Sequence, residues 1–233
     1  MVFLHPHSFD IYATGRQCSV AKTIKTKNNG PRALPREVRK QQLILATINS
    51  IARNGLSGTT MATITREAGL SMGIANLHFK SKEKLLTASL QHITSEYNNG
   101  QSDILASCAY PSLTDKLQAL LDFHFSTKLI QKNKLAVWFA FWGESKARPT
   151  YRRICSRSDK QAEKAIGELF QQIIDEGKYK RADAELLAIG YTALLDGLWL
   201  DLLVTPRATS RSKVKQVAGH YLASAFPNHI QVE

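Results

Sequence analysis

From residue 37 onward apolar residues recur at helical spacing, and no alternating run of strand length interrupts them. Val38, Leu45, Ile48, Ile51 and Ala52 predict a helix from Glu37 to Asn54, with Gly55 as its stop. Met61, Ile64 and Ala68 mark a short second helix that Thr60 can cap. Gly69 stands where the chain must leave that helix at positive φ, which costs least for a residue without Cβ. Leu70 wedges the turn, and Ser71 caps a third helix through Met72, Gly73, Ile74, Ala75 and Asn76, closed against the core by Phe79. Ser81 caps a fourth, with Glu83 in the first turn where the helix dipole favours an anion. Its apolar face holds Leu86, Leu90, Ile93 and Tyr97. Asn98-Asn99-Gly100 then predicts a stop or a kink before Ile104 and Leu105.

The second half continues the pattern. Ser112 to Asp115 reads as a capping box ahead of Leu117, Leu120, Leu121 and His124. A block from Lys134 to Arg148 follows. Pro149 separates it from a long helix through Tyr151, Ile154, Ala162, Ile166, Leu169 and Ile173, stopped by Gly177. Residues Ala182 to Val204 are apolar on nearly all sides, and Thr205-Pro206 breaks them. This segment is long enough to span a bilayer, but Glu185, Asp196 and Asp201 would each cost a few kcal/mol or more in hydrocarbon. Burial between two subunits is the better expectation. The last helix, carrying Val214, Val217, Tyr221 and Leu222, would pair with it in a four-helix dimer contact.

Charge adds a partner to this picture. Lys and Arg number 31 against 19 Asp and Glu, a net charge of +12. Residues 1–97 alone hold 13 basic and 5 acidic side chains, so a surplus of 8 lies there. Joined to two short helices around a glycine turn, TTMATITREAGLSMGIANLHFKSKEKLL, this points to a polyanion and to a DNA-reading helix-turn-helix. Residues 1–35 show no periodicity and read as a flexible basic arm, which either brushes DNA phosphates or has no role. The start MVFLHPHSF is too short and unflanked for a secretion signal.

Cys18, Cys108 and Cys155 are odd in number and widely spaced, which fits a reducing cytoplasm rather than a disulfide framework. The seven histidines show no metal-ligand spacing; His124 and His220 read as core or groove residues. No nucleophile elbow, phosphate loop or nucleotide fingerprint is present, so no catalysis, cofactor or metal is expected.

The paired threonines, Ile-x-x-x-Ala-Gly-Leu-Ser-x-Gly, and His-Phe-x-Ser-Lys-Glu-x-Leu-Leu resemble the TetR family of bacterial repressors over Val38 to Leu86. The resemblance implies an all-α fold. A three-helix DNA-binding domain over 36–86 would precede a helical ligand-binding and dimerisation domain over 87–226, then a tail over 227–233. Arg39 and Lys40, with Arg36, crowd the entry of the first helix, where they could hold phosphates; Lys82 matches the family's phosphate-gripping lysine. The DNA-contacting set is completed by Thr60, Ser71, Met72, Gly73, Asn76, Leu77 and His78. Asn76 could pair both ways with an adenine edge, an apolar neighbour could meet a thymine methyl, and Gly73 would admit close backbone approach to phosphate. The family commonly has aromatics at the positions of Asn76 and His78, so the bases read here stay open.

All three tryptophans fall in two short blocks. Trp138 and Trp142 are four apart on one helix face, with Phe139 and Phe141 beside them; Trp199 follows Asp196 by three, with Tyr191 upstream. Aromatic faces plus a carboxylate suit a quaternary ammonium ion, which has no N–H to donate; each cation–ring contact is worth roughly 0.5–2 kcal/mol. An ionised Asp196 in an apolar helix is costly unless something positive meets it. Tryptophans at this spacing serve equally as core, and Asp196 could face an arginine or a partner subunit. The blocks AVWFAFWGESKARP and GYTALLDGLWL resemble the choline-sensing TetR-type repressors of glycine betaine synthesis genes. That resemblance implies a homodimer on an inverted-repeat operator, answering to choline through Trp138, Phe141, Trp142, Tyr191, Asp196 and Trp199. A different hydrophobic or cationic effector in the same fold is the alternative.

Overall fold

The computed structural model describes residues 35–205 and 208–230. The expected arm apart from Pro35, Cys18, the chain break at Pro206 and the last three residues of the tail lie outside them. Among the described residues the regular structure is helical throughout. The elements are α1 (Arg36–Gly58), α2 (Met61–Ala68), α3 (Met72–His78), α4 (Lys82–Ala106), α5 (Leu113–His124), α6 (Lys132–Glu144), α7 (Pro149–Gly177), α8 (Ala184–Val204) and α9 (Arg211–Ala225).

Local chemistry explains where these helices begin. Thr60, Ser71, Ser81 and Ser112 each accept a hydrogen bond from the backbone N–H three residues on, and Asp183 and Ser210 do the same for α8 and α9. Each such cap is worth about 1 kcal/mol. Thr60 with Thr63 and Ser112 with Asp115 close full capping boxes. Pro149 occupies the first turn of α7, where its missing N–H is no loss. Gly55 does break α1, at φ 68° and ψ 175°, although one further turn follows to Gly58.

One expected glycine effect is corrected. The interruption at Asn98-Asn99-Gly100 does not occur, because α4 runs unbroken from Lys82 to Ala106. Asn98 donates to the Ser158 hydroxyl at 2.9 Å and Gln101 to the Ala162 carbonyl at 3.0 Å, both on α7. Their amides bond across to a neighbouring helix rather than unwinding their own. Gly100 lies beneath the Phe123 ring, where a Cβ would come within 2.5 Å of a ring carbon. At Gly177 the helix α7 ends as expected. The left-handed residue is Lys178, at φ 54°. A Cβ on Gly177 would meet the Tyr179 ring at 2.2 Å, so it is close packing that favours glycine there.

Buried side chains form two cores. The first joins Leu43, Ile48, Ile64, Ala75, Leu85 and Leu90 of α1–α4 to Val137 and Phe141 of α6 and Tyr151 of α7. The second gathers Tyr97, Leu117, Leu120, Ile166, Phe170, Tyr191, Leu222 and Phe226. Full burial of each large side chain contributes about 1.5–3 kcal/mol. Within α1 the buried stripe is Leu43, Ile44, Ile48 and Ile51, while Val38 and Leu45, expected on it, are exposed. His124 is buried as expected, whereas His220 is exposed on α9.

By length and composition α8 could cross a membrane, with a mean hydropathy of 1.6 over its most apolar window. It packs instead on α7 and α9, with Ala188, Tyr191, Leu195 and Trp199 buried. Tyr221 of α9 donates to the Leu187 carbonyl at 3.0 Å and lies so close to Gly190 that a Cβ would fall 2.5 Å from its hydroxyl. The opposite face stays uncovered in one chain: Leu186, Ile189, Leu200 and Val204, with Val217 of α9, are 38–67% exposed.

Candidate DNA-binding face and ligand cavity

The turn between α2 and α3 is held from both sides. Gly69, at φ 62°, donates to the Arg66 carbonyl, and Leu70 donates to the Thr65 carbonyl, the paired bonds of a Schellman ending. Beneath it the Ser50 hydroxyl lies 3.2 Å from that of Thr59 and 3.1 Å from that of Thr63, tying α1 to the start of α2. On α3, Ala75 is fully buried and fixes the inward face. Met72, Gly73, Asn76 and Leu77 are exposed, as are Ser71 and Thr60. Leu77 stands 73% clear of the protein with no fold-level reason to do so.

The other members of the expected set are less free. His78 is half-buried, and its Nδ1 is buried without a partner among the described residues. The Ser71 hydroxyl accepts a cap bond and so offers an outside group chiefly its hydrogen, whereas the Thr60 hydroxyl both accepts a cap bond and donates to the Thr63 hydroxyl at 3.4 Å. Arg39 is half-buried, and exposed Lys40 sits 3.8 Å from the Glu37 carboxylate. The Lys82 ammonium donates to the Leu56 carbonyl at 3.4 Å, a group in the last turn of α1 that has no partner further along the helix. That bond joins the end of α1 to the start of α4.

A cavity of about 220 Å³ opens among α4, α6, α7 and α8, lined by Tyr97, Trp138, Asp159, Glu163, Asp196 and Trp199 among others. The Tyr97 ring stands nearly perpendicular to both tryptophans, 5.9 Å from Trp138 and 5.7 Å from Trp199. The three rings thus form a corner. Trp199 is locked by its N–H, which donates to the His124 carbonyl at 3.1 Å. The Tyr97 hydroxyl lies 3.4 Å from His124 Nε2, and His124 Nδ1 lies 3.1 Å from the Tyr191 hydroxyl. Burial pushes His124 down to about 3, so it is neutral and one ring nitrogen donates while the other accepts.

The acids give the cavity its sign. Half-buried Asp196 is pushed up to about 7 by desolvation and then by Asp159. Asp159 sits at the rim, open to water on one side; desolvation on the other, and then Glu163, push it up to about 6. Water screens Asp159 more than Asp196, so the shift of Asp196 is the firmer of the two. Burial, then Asp196 and Asp159, holds the Tyr97 phenol above its ordinary value. Among the described residues no basic side chain lines the cavity, and none pairs with these acids. A wider groove of about 730 Å³ between α7 and α8 mixes both charges and has no aromatic ring.

Trp138, Asp196 and Trp199 therefore come together as expected, and three other candidates do not. Phe141 is fully buried in the first core, edge-on to Tyr151 at 4.9 Å. Trp142 packs on that core, 6.4 Å from the Trp138 ring and edge-on to Phe139. Tyr191 is buried behind His124, against Phe170 and Tyr221. The reason is the helix face: α6 turns Val137 and Phe141 into the first core and Leu135 and Phe139 toward the second, while Trp138, between them, touches both. Sequence reasoning missed Tyr97 and Asp159. Tyr97 looked like one more core position on α4, and Asp159 sits in the polar run Arg157 to Glu163, which reads as a solvated face.

Comparison with known proteins places the fold in a family. Residues 43–88 match the bacterial regulatory proteins of the tetR family, and residues 113–227 match the C-terminal domain of BetI-type transcriptional repressors. The HTH-type transcriptional regulator BetI of Proteus mirabilis (strain HI4320) is 31% identical over 196 residues, 82% of this chain and 94% of that protein. A solved transcriptional regulator from Pseudomonas aeruginosa PAO1 is 28% identical, with a TM-score of 0.73 over 84% of this chain and 94% of that one. Another, from Saccharomonospora viridis and in complex with choline, is 20% identical, with a TM-score of 0.68 over 80% of this chain and 96% of that one. The chain belongs to the TetR family of transcriptional regulators, which are not enzymes, and its C-terminal domain is of the BetI type.

Proposed function

We propose that this protein is a cytoplasmic repressor that binds an inverted-repeat operator as a homodimer and releases it when choline, or a related quaternary ammonium ion, occupies the cavity. Its targets on this reading are genes for glycine betaine synthesis. The carrying observation is the corner of Tyr97, Trp138 and Trp199 beside Asp196, with no basic side chain among the described lining residues. Ring faces and a counter-charge are what a cation lacking N–H groups needs. The choline complex of the similarly folded Saccharomonospora viridis regulator supports the same ligand class. A cavity of about 220 Å³ lined by three acids suits a lipid-like or drug-sized ligand poorly, since such sites run to about 300–1,000 Å³ and are mostly apolar.

For DNA, the exposed face of α3 supplies Asn76 for an adenine edge and Leu77 or Met72 for thymine methyls, while Gly73 admits the backbone closely. Arg39, Lys40, Thr60, Ser71 and Lys82 would hold phosphates. The uncovered stripe of α8 favours pairing with a second copy, which would set two recognition helices about 34–36 Å apart. Coupling runs through α6, which puts Trp138 in the cavity and Phe141 in the core of the DNA-binding helices. A ligand that favours one position of α6 changes DNA affinity by its differential affinity for the two positions.

The test is a gel shift on the adjacent intergenic DNA with and without choline, paired with calorimetry on choline, betaine aldehyde and a hydrophobic panel. Release by choline and heat from quaternary amines are expected. Heat from the hydrophobic panel alone would reject the choline reading.

A further inference from the structure

We propose, resting on the reading of the cavity as a quaternary ammonium site, that Asp159 forms a second subsite demanding a hydrogen-bond donor at the far end of the ligand. The ligand is then a cation that also carries a hydroxyl or a second ammonium, and a zwitterion bearing its own carboxylate is refused.

The charge count is the first reason. Asp159 and Glu163 share one face of α7 and confront Asp196 on α8, so the cavity wall holds three carboxyl groups. One quaternary ammonium against Asp196 and the rings leaves the α7 acids unanswered. Its methyl groups donate no conventional hydrogen bond, so they cannot serve those oxygens.

The second reason is where the wall's own donors point. The Trp199 N–H donates to the His124 carbonyl at 3.1 Å. The Thr192 hydroxyl is taken by the Ala188 and Ile189 carbonyls, both at 3.0 Å. The Tyr97 hydroxyl faces His124 Nε2 at 3.4 Å. Trp138 retains a buried N–H without a partner among the described residues, and the Tyr97 hydroxyl keeps its hydrogen when His124 Nε2 donates to Gln101 Oε1 at 3.4 Å, so at most two lining donors remain for three acids. The lining thus holds more acceptors than free donors; water can serve Asp159 at the rim, and a guest that displaces this water must bring the hydrogens itself.

Calorimetry on the full chain near neutral pH separates four probes that share the trimethylammonium head and differ at the other end. These are (2-aminoethyl)trimethylammonium, choline, ethyltrimethylammonium and glycine betaine. The dication is expected to bind tightest, choline roughly tenfold tighter than ethyltrimethylammonium, and betaine weakest. Asp159→Asn is expected to draw the first three within about threefold of one another while ethyltrimethylammonium is held about as before. The wild-type ranking decides the matter even if the variant folds poorly. Equal binding of choline and ethyltrimethylammonium overturns the second subsite alone. An equal loss for all probes in Asp159→Asn also overturns it, since Asp159 would then act only through its field. Absence of binding by every probe overturns the ammonium site and the subsite together.

Discussion

Asp196 keeps its proton to about pH 7 in the folded chain because burial, and then Asp159, disfavours its charge. The unfolded chain ionises such a group near pH 3.9, so the penalty on folding is absent below about pH 4 and grows as the pH rises to about 7. Asp196→Asn should therefore raise the melting temperature of the ligand-free protein above pH 7 and leave it unchanged near pH 4, read by thermal melts at both. The same variant should lose choline affinity at least tenfold with operator binding retained; loss of operator binding would make the residue structural. In the wild type, choline affinity should fall as the pH drops through about 7, toward tenfold per unit, as the acid takes up its proton. Asp159, Glu163 and Tyr97 are the titratable groups facing Asp196 across the cavity, and Asp159, pushed up to about 6, adds to that fall. Lys82→Ala should weaken binding to all DNA sequences alike and flatten the salt dependence by about one unit of slope. A changed base preference would refute its phosphate role.

Among the elements, α6 has two employments within about two turns. Trp142→Ala removes a side chain from the core shared with α1–α4, not from the cavity. Choline should still bind within about threefold, because Trp138 is untouched, while choline-driven release of DNA is blunted. A loss of choline affinity equal to that of Trp138→Ala would contradict the placement of Trp142. At the end of α7, Tyr179 cannot swing aside, since its hydroxyl is held by His229 at 3.0 Å and by the Asn228 N–H at 3.0 Å. Gly177→Ala should consequently cost about 1–3 kcal/mol from overpacking, measurable by denaturant unfolding. A helix-propensity gain with no loss would refute the clash.

These elements separate what was legible in the chain from what was not. Caps were readable because Thr60, Ser71, Ser81 and Ser112 bond to N–H groups three residues away, within the window that sequence displays. Gly69 was readable for the same reason: its turn is closed by bonds to Thr65 and Arg66. Gly100 was misread because its reason is Phe123, on another helix. Trp138 and Trp142 looked equivalent on a helical wheel, yet Trp138 touches both cores and lines the cavity while Trp142 packs on the first core alone, a difference set by the helices around α6. Asp159 becomes visible as a site residue once α7 is laid against α8.

For the whole molecule, the uncovered stripe on α8 is the feature that most demands a partner. Leu186, Ile189, Leu200 and Val204 are partly or largely exposed along one side of a helix whose other side is core. If the proposed dimer forms through this stripe, Leu200→Lys should yield single chains by light scattering and cut operator affinity at least tenfold, because two half-sites are then bound independently. Persistence of the dimer would move the interface elsewhere.

The neutral histidine under the aromatic corner has an effect on every titration of this site. With its acid limit near pH 3, His124 contributes no positive charge at any pH at which the protein would work. The floor of the site is electrically silent, and an arriving cation meets no repulsion from it. Whatever pH dependence the ligand shows can then be assigned to the acidic wall, without a histidine to deconvolute.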